Sequence, residues 1–443
     1  MKNWYGRIAC CLLISISPAV SAADEAELDA LRQEIDRLKR DYDKKIEGLE
    51  DRLDRQQQDT KTPPAQTRAV PTPGRRQVTD KAFNPAISLI LNGSYTDFEL
   101  DPEAYFIPGF ALGEETEPGE EGLSLAESEF VVSANVDDKF YGAFTLALTP
   151  DNEAEVEEAY FQTLALPWGF TLKAGRFYSG IGYLNEQHSH RWDFADTALA
   201  YRALLVNQYG DDGAQLRWLA PTDLFLEFGL EALRGDSYPA AGAGDNGVGA
   251  NSAFVHLGGD VGVSHSWRVG VSRLYAEAED RESSESGPAL PAAGDFTGDS
   301  EVTVVDFVWK WAPNGNPYRT NLTFQAEYLR REEDGIYSNV PAPYEAEQSG
   351  WYAQAVYQFM PRWRLGLRYD ELDAEDPGIA FSNTGLDPGD HTPTRRSAML
   401  DFSNSEFSRF RLQYNRDESR PETDDQWFLQ YIMSLGAHGA HQF

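Results

Sequence analysis

The stretch Leu224-Phe225-Leu226-Glu227-Phe228-Gly229-Leu230-Glu231 decides the fold class. One set of alternate positions holds Leu, Leu, Phe and Leu, while the other set ends in Glu, Gly and Glu. A period of two is the pattern of a β-strand with one apolar and one polar face. Such an apolar face packs in the core of a soluble sandwich, or it faces lipid when a closed barrel spans a membrane.

The alternation recurs along the chain from Ala86 onward. Residues 363–370 read Trp-Arg-Leu-Gly-Leu-Arg-Tyr-Asp, and residues 409–415 alternate polar and apolar side chains in the same way. The pattern predicts strands near 86–98, 123–136, 139–149, 154–166, 169–178, 212–220, 223–234, 252–263, 266–278, 301–312, 319–331, 349–359, 362–372, 396–403, 407–416 and 424–435.

The connections between these strands distinguish a membrane barrel from a soluble sandwich. Those after even-numbered strands are tight, as at 136–139, 167–169 and 360–362, whereas most of those after odd-numbered strands are long and polar. Outer-membrane barrels combine short periplasmic turns with longer outer loops. We therefore predict an all-β transmembrane barrel of about 16 antiparallel strands over residues 83–443, with both chain ends in the periplasm.

Residues 1–22 have the pattern of a secretory signal peptide. Lys2 and Arg7 flank the positive region, and the apolar run that follows is about 12 residues, shorter than a membrane-spanning helix needs. Small residues at 20–22 suit cleavage before Ala23. Because Cys10 and Cys11 are the only cysteines, we expect a mature chain without disulfides or thiolate metal ligands.

Residues 23–55 carry a heptad pattern. The apolar residues from Leu28 to Tyr42 are spaced alternately by three and four, and the seam continues to Leu53 after a four-residue shift. This pattern predicts a periplasmic coiled coil that pairs with the same segment of other copies, although a single helix lying against the barrel is the alternative. Residues 56–82 are rich in Gln, Thr and Pro, which favours a flexible linker.

Composition limits the partners. The chain has a formal charge of −34, 12% aromatic residues and 37 glycines, and its mean hydropathy is −0.51. Such an acidic protein repels nucleic-acid phosphates. We expect it in the outer membrane of a Gram-negative bacterium, in contact with lipid and with further copies of itself, as a trimer held through the barrel and the coiled coil.

Several motifs resemble a known group of outer-membrane proteins. They are Glu157-Glu158-Ala159-Tyr160, Gly175-Arg176-Phe177, the run Asn-Glu-Gln-His-Ser-His-Arg-Trp-Asp-Phe at 185–194, and the tail Gly436-Ala437-His438-Gly439-Ala440-His441. Together they resemble a porin-like family whose members are often labelled zinc-regulated or TonB-dependent receptors. The family is similar to phosphate-selective porins and to a coiled-coil-bearing siderophore porin. The resemblance covers most of 86–443 and implies an outer-membrane barrel.

A histidine-containing loop is the candidate site. By the strand count, residues 179–211 form the third outer loop, and sixteen-stranded porins in general fold this loop inward to narrow the pore. This analogy predicts a pore constriction with imidazole and carboxylate groups that suit zinc or another divalent ion. We expect transient binding by His188 and His190 rather than a resident cofactor. The alternative is that both histidines and Trp192 only pin the loop to the wall. The predicted constriction residues are His188, His190, Asp193 and Asp196.

Charged side chains are also predicted to line the lumen. Acidic runs between 114 and 121 favour cations at the pore mouth, whereas inward arginines favour anions unless inward carboxylates pair with them. The sign of the selectivity therefore stays open. The predicted lumen-lining residues are Arg217, Glu227, Glu231, Arg364, Arg368, Asp370, Arg409 and Arg411.

The predicted function is a channel for passive diffusion of small solutes or ions, with a preference for divalent metals. The sequence contains no Gly-x-Ser-x-Gly elbow, phosphate-binding glycine loop or His-Glu-x-x-His motif, so we predict no enzyme activity. Two alternatives remain. One is a structural barrel tethered through its coiled coil, and the other is an energy-coupled receptor for metals or siderophores.

Overall fold

A computed structural model describes residues 85–113, 116–150, 153–242, 247–282 and 291–436 of the chain. The predicted signal peptide at 1–22, coiled coil at 23–55 and linker at 56–82 lie outside the described residues. These three remain predictions.

Sixteen strands form one closed barrel in the described part of the chain. Each strand pairs antiparallel with its sequence neighbours, and β16 closes the barrel against β1, where Leu91 lies opposite Met433. The predicted sixteen-stranded antiparallel barrel is confirmed. The strands are β1 (Ala86–Asp97), β2 (Gly122–Asn135), β3 (Phe140–Leu148), β4 (Ala154–Thr163), β5 (Phe170–Tyr178), β6 (Gly210–Leu219), β7 (Phe225–Leu233), β8 (Ala250–Val261), β9 (His265–Arg281), β10 (Phe296–Trp311), β11 (Asn321–Tyr337), β12 (Val340–Met360), β13 (Trp363–Ala374), β14 (Thr394–Ser405), β15 (Ser408–Glu418) and β16 (Asp424–Gly436).

The two faces of the strands differ as the alternation predicts. On β13, Leu365 and Leu367 are 46% and 59% exposed, whereas the next residue, Arg368, is 4% exposed. On β15, Leu412 is 45% exposed and Arg411 is 1% exposed. Apolar side chains therefore cover the outside, where a membrane barrel meets lipid, and charged side chains point inward.

Most connections are sorted as expected. Short turns follow most even-numbered strands, and long loops such as 98–121, 179–209 and 375–393 follow odd-numbered strands, although the connections at 149–153 and 419–423 are short. The connection between β11 and β12 differs from the prediction, which places a loop over 332–348. Both strands instead extend outward to a turn at 338–339, and the rings of Tyr337 and Tyr344 pack 5.0 Å apart on this hairpin. Cross-strand aromatic contacts of this kind stabilise a longer ladder.

The interior contains packed apolar side chains rather than charged side chains alone. The helix α1 (Leu199–Leu205) lies in the loop between β5 and β6, and all seven of its residues are buried. It packs with Ile107 and Phe110 from the loop between β1 and β2, and with Val304 and Leu329 from the wall. Loops therefore fill much of the barrel with a hydrophobic core. Short 3-10 turns occur at Pro102–Ala104, Pro167–Gly169, Ser189–Arg191 and Pro313–Gly315.

Helices contribute little to the described structure. Among the described residues, none of the helices has the length and apolar character needed to cross a membrane.

Candidate functional site

The loop between β5 and β6, residues 179–209, enters the barrel, and we call it the inward loop. Its backbone is fixed by Glu327 on β11, whose carboxylate accepts hydrogen bonds from the amides of Tyr183 (2.9 Å) and Leu184 (3.0 Å) and from the hydroxyl of Tyr201 (2.7 Å). Gly182 makes this approach possible. Its φ is +69°, and a Cβ there would lie 2.3 Å from the Tyr201 hydroxyl.

Asp196 fixes the second half of the inward loop. Its carboxylate lies 2.8 Å from both Arg368 on β13 and Arg395 on β14, and it accepts hydrogen bonds from Gln413 and Asn415 at 2.7 and 2.9 Å. Burial alone would raise the pKa of Asp196, but the two arginines hold it well below its usual value. Asp196 therefore lies among arginines and is a structural anchor of the loop.

Asp193 also pairs with an arginine rather than with the histidines. Its Oδ1 lies 2.7 Å from Nη1 of Arg364, which contacts Asp401 as well. The structure thus separates the two aspartates of the predicted constriction from the histidines.

The predicted lumen-lining residues all lie on the inner wall, where most of their charges are matched. Arg217 pairs with Glu186 and Glu227, and Arg411 pairs with Asp401 at 3.0 Å. Arg409 donates to the backbone carbonyl of His190 at 2.8 Å. Of the two alternatives that the sequence left open, this arrangement favours arginines that brace the wall. The other contacts are Arg368 with Asp370 (3.0 Å), Arg395 with Asp370 (3.6 Å), and Gln215 donating to Glu231 (2.6 Å).

His188 and His190 lie together against β4 and β2. Their rings stack with centroids 5.8 Å apart. His188 Nε2 lies 3.0 Å from Glu158 on β4, and His190 Nδ1 lies 2.6 Å from Glu129 on β2. The other ring nitrogen of His188, Nδ1, lies 3.3 Å from Glu129 Oε2 and 3.4 Å from Glu157 Oε2.

A fourth carboxylate completes the group. Ser189 donates a hydrogen bond to Glu127 on β2. Among the described residues, the ion pairs that these glutamates form within 4 Å are with the two histidines. The nearby lysine, Lys173, instead places its Nζ over the Tyr160 ring, 4.8 Å from the ring centroid. Burial alone would lower the pKa of His188, but the adjacent carboxylates raise it well above its usual value. We call Glu127, Glu129, Glu157, Glu158, His188 and His190 the acidic–histidine cluster.

The four glutamates were not among the residues predicted for the site. A signal for them exists in the sequence, since Glu127 and Glu129 are two residues apart on a predicted strand, and Glu157 and Glu158 belong to a quoted motif. Their sequence separation from His188, about 30 to 60 residues, hides the contact because only the barrel register joins β2 and β4 to the inward loop.

A cavity of about 1050 Å³ lies beside the cluster, and we call it the vestibule. Its wall includes the turns between β10 and β11 (Tyr318), between β12 and β13 (Arg362) and between β14 and β15 (Phe407), and it reaches His190 and Arg191 of the inward loop. The vestibule therefore extends from the short-turn end of the barrel to the loop that fills its middle.

Comparisons with known proteins agree with this architecture. No family model matches the chain. An uncharacterized protein of Aquifex aeolicus (strain VF5) is 32% identical over 397 residues, which covers 82% of this chain and 81% of that protein.

Solved structures with a similar fold include OmpT, an outer membrane protein of Vibrio cholerae. Its in-vitro folded trimer form has a TM-score of 0.52 at 12% identity and covers 80% of this chain and 100% of that chain. The loop L8 deletion mutant of OmpT has a TM-score of 0.51 at 12% identity with the same coverage. The chain therefore belongs to the family of the uncharacterized Aquifex aeolicus protein, and its fold is a porin-like outer-membrane barrel of sixteen strands.

Proposed function

We propose that this protein is a non-enzymatic outer-membrane channel for the diffusion of small solutes or ions, narrowed by its own loops. The observation that carries the proposal is the vestibule, a cavity of about 1050 Å³ that extends from the turn end to the acidic–histidine cluster. Diffusion requires open space of this kind inside a barrel. The buried α1 and its neighbours occupy the middle of the lumen, so the channel passes only small species or opens when the inward loop moves.

The charge distribution supports a preference for cations. Inward arginines such as Arg364 and Arg411 are engaged by Asp401, and therefore they do not form an open basic ring. The acidic–histidine cluster instead has four carboxylates next to two imidazoles. Acidic groups at a narrow point raise the local concentration of cations.

A specific observation also favours a second candidate function, a structural barrel tethered through its coiled coil, which we call the tether. The same loop packing that narrows the lumen would suit a barrel that never conducts and serves only to hold the N-terminal segment at the outer membrane. The energy-coupled receptor has less support, because loops between the strands, including α1, already fill much of the lumen in the described residues.

The proposed assembly is a trimer in the outer membrane. OmpT of Vibrio cholerae, a structure with the same barrel fold, has a trimer form. The predicted coiled coil at 23–55 would add a second contact between copies, since a seam of this length needs partner helices.

Liposome swelling tests the function. We expect vesicles that contain the full chain to swell in small polar solutes and to swell more slowly as the solute grows, because the lumen is narrowed. Vesicles with heat-unfolded protein are the control. No swelling at any solute size, with correctly folded barrels in the vesicles, would favour the tether.

A further inference from the structure

Three ligand atoms of the acidic–histidine cluster face one another without hydrogen-bond partners. They are Oε2 of Glu129, Oε2 of Glu157 and Nδ1 of His188, and all three are buried. The Glu129 side chain is fully buried and that of Glu157 is 8% exposed. Buried polar atoms are almost always hydrogen-bonded, so three such atoms at one point indicate a missing partner.

Two of the three distances between these atoms fit a tetrahedral metal ion as that partner. His188 Nδ1 lies 3.3 Å from Glu129 Oε2 and 3.4 Å from Glu157 Oε2, and the three atoms all lie within 4.8 Å of one another. A tetrahedral ion with bonds of about 2.0 to 2.1 Å holds its ligand atoms about 3.3 to 3.4 Å apart. An imidazole nitrogen with two carboxylate oxygens is a ligand set that suits divalent transition metals.

Each ligand is also held by its other polar atom. His188 Nε2 lies 3.0 Å from Glu158, Glu129 Oε1 lies 2.6 Å from His190, and Glu157 Oε1 accepts a hydrogen bond of 2.8 Å from the Tyr178 hydroxyl. Metal binding displaces the proton on Nδ1, and with Nε2 still protonated toward Glu158 the lone pair of Nδ1 then points at the two carboxylates. Partners of this kind orient the ligands of metal sites.

We propose that Glu129, Glu157 and His188 bind one divalent transition-metal cation, with zinc as the ion to test. Glu158, His190 and Tyr178 position the three ligands. The set differs from the constriction expected from sequence, because Asp193 and Asp196 are held by arginines. Three protein ligands leave a fourth position for water or for a passing solute. The inference goes beyond the channel proposal, since a barrel that does not conduct can still bind the ion.

Calorimetric titration of zinc into the full chain in detergent, after treatment with a chelator, tests the site. His438→Ala and His441→Ala form the background in all samples, because imidazole is a common zinc ligand and these two histidines are not among the proposed ligands. We expect one zinc per chain. Glu129→Gln, Glu157→Gln and His188→Gln should each weaken binding by about 100-fold or more, and Glu158→Gln by about tenfold.

Glu227→Gln is the matched control, because Glu227 forms a comparable lumen pair with His256 at 3.1 Å. It should leave zinc affinity unchanged. Heat-modifiable migration in gels confirms the fold of each variant. If a ligand variant does not fold, X-ray absorption spectroscopy of zinc bound to the background protein tests the site instead. A zinc coordination shell of nitrogen and oxygen atoms with one imidazole supports the site. Absent binding, equal affinity in all variants or a shell with two or more imidazoles would overturn the proposal.

Discussion

The carboxylate of Asp196 lies 2.8 Å from the guanidinium of Arg368, and both side chains are almost completely buried. This contact joins the inward loop to β13, and Arg395 on β14 reaches the other carboxylate oxygen at the same distance. A buried charge pair contributes little when it replaces apolar packing, but loss of one member leaves the other charge without compensation. Asp196 is therefore a point at which the inward loop is sensitive to a single change.

Asp196→Asn should destabilise the folded barrel by about 3–5 kcal/mol, because two buried arginines lose their shared carboxylate. The free energy of unfolding, from urea titration of the protein in lipid vesicles, measures this loss. Asp193→Asn is the matched control, since Asp193 also pairs with an arginine but is 20% exposed. It should cost roughly 1 kcal/mol or less. Equal losses in the two variants would contradict the assigned anchor.

Gly350 on β12 should be intolerant of a side chain. A Cβ there would lie 2.4 Å from Leu372 and 3.0 Å from the Cβ of Ala200 in α1. Gly350→Ala should push the helix from the wall at a cost of about 1–3 kcal/mol, and hydrogen exchange of the amides at 199–205 should accelerate.

Gly366→Ala provides the comparison for that experiment. The new Cβ would meet the flexible end of Met399, 2.6 Å from its Cε, which can rotate away. We expect its hydrogen exchange to match the parent. Unchanged exchange in Gly350→Ala would mean that α1 does not pack there.

Glu186 in the inward loop makes stability depend on pH. Burial alone would raise the pKa of Glu186, but Arg217, Lys173 and Arg268 lower it to about 2. A carboxyl with a lowered folded-state pKa stabilises the protein above its unfolded pKa of about 4.3 and loses this contribution as the pH falls toward about 2. Glu186→Gln should therefore reduce the loss of stability over this interval.

Unfolding temperatures at several pH values between these limits measure the effect. The exposed Glu422→Gln is the control and should follow the parent curve. A Glu186→Gln curve parallel to the parent would show that Glu186 is not held as a carboxylate by Arg217.

The sequence predicts the strands of the barrel wall better than the contacts of the loops that fill the lumen. Leu365 and Leu367 alternate with Arg364 and Arg368, and a period of two assigns both the strand and its outward face from neighbouring residues alone. The inward direction of the loop around His188 also agrees with the analogy to porins. In contrast, the sequence predicts a loop for the outer part of the β11–β12 hairpin, because this part is acidic and contains Pro341 and Pro343, which are rare inside strands.

The partners of the loop side chains could not be predicted in the same way. Asp196 meets Arg368 across 172 positions, and His190 meets Glu129 across 61 positions. Such contacts depend on barrel register and on how the loop folds, neither of which has a local pattern. Chemical type alone suggested that Asp193 and Asp196 would join the histidines, whereas nearby arginines attract both more strongly.

The predicted coiled coil has its own test. Deletion of residues 24–55 should lower the mass of the assembly or its resistance to dissociation, because a lone heptad seam would lose its partner helices. The barrel itself should stay folded and heat-modifiable. Native mass spectrometry of the full chain and of the deletion variant measures the mass of each assembly. An unchanged number of copies with unchanged resistance to detergent would show that the segment does not hold copies together.

The reversal potential of the full chain in a planar bilayer under a KCl gradient tests the central claim most directly. A channel narrowed beside the acidic–histidine cluster should conduct without any partner protein, and its reversal potential should have the sign of potassium permeation. Glu158→Gln should move that potential toward zero without abolishing the current, since it removes one lumen carboxylate. A reversal potential of the chloride sign, or no current from bilayers loaded with folded protein, would contradict the account.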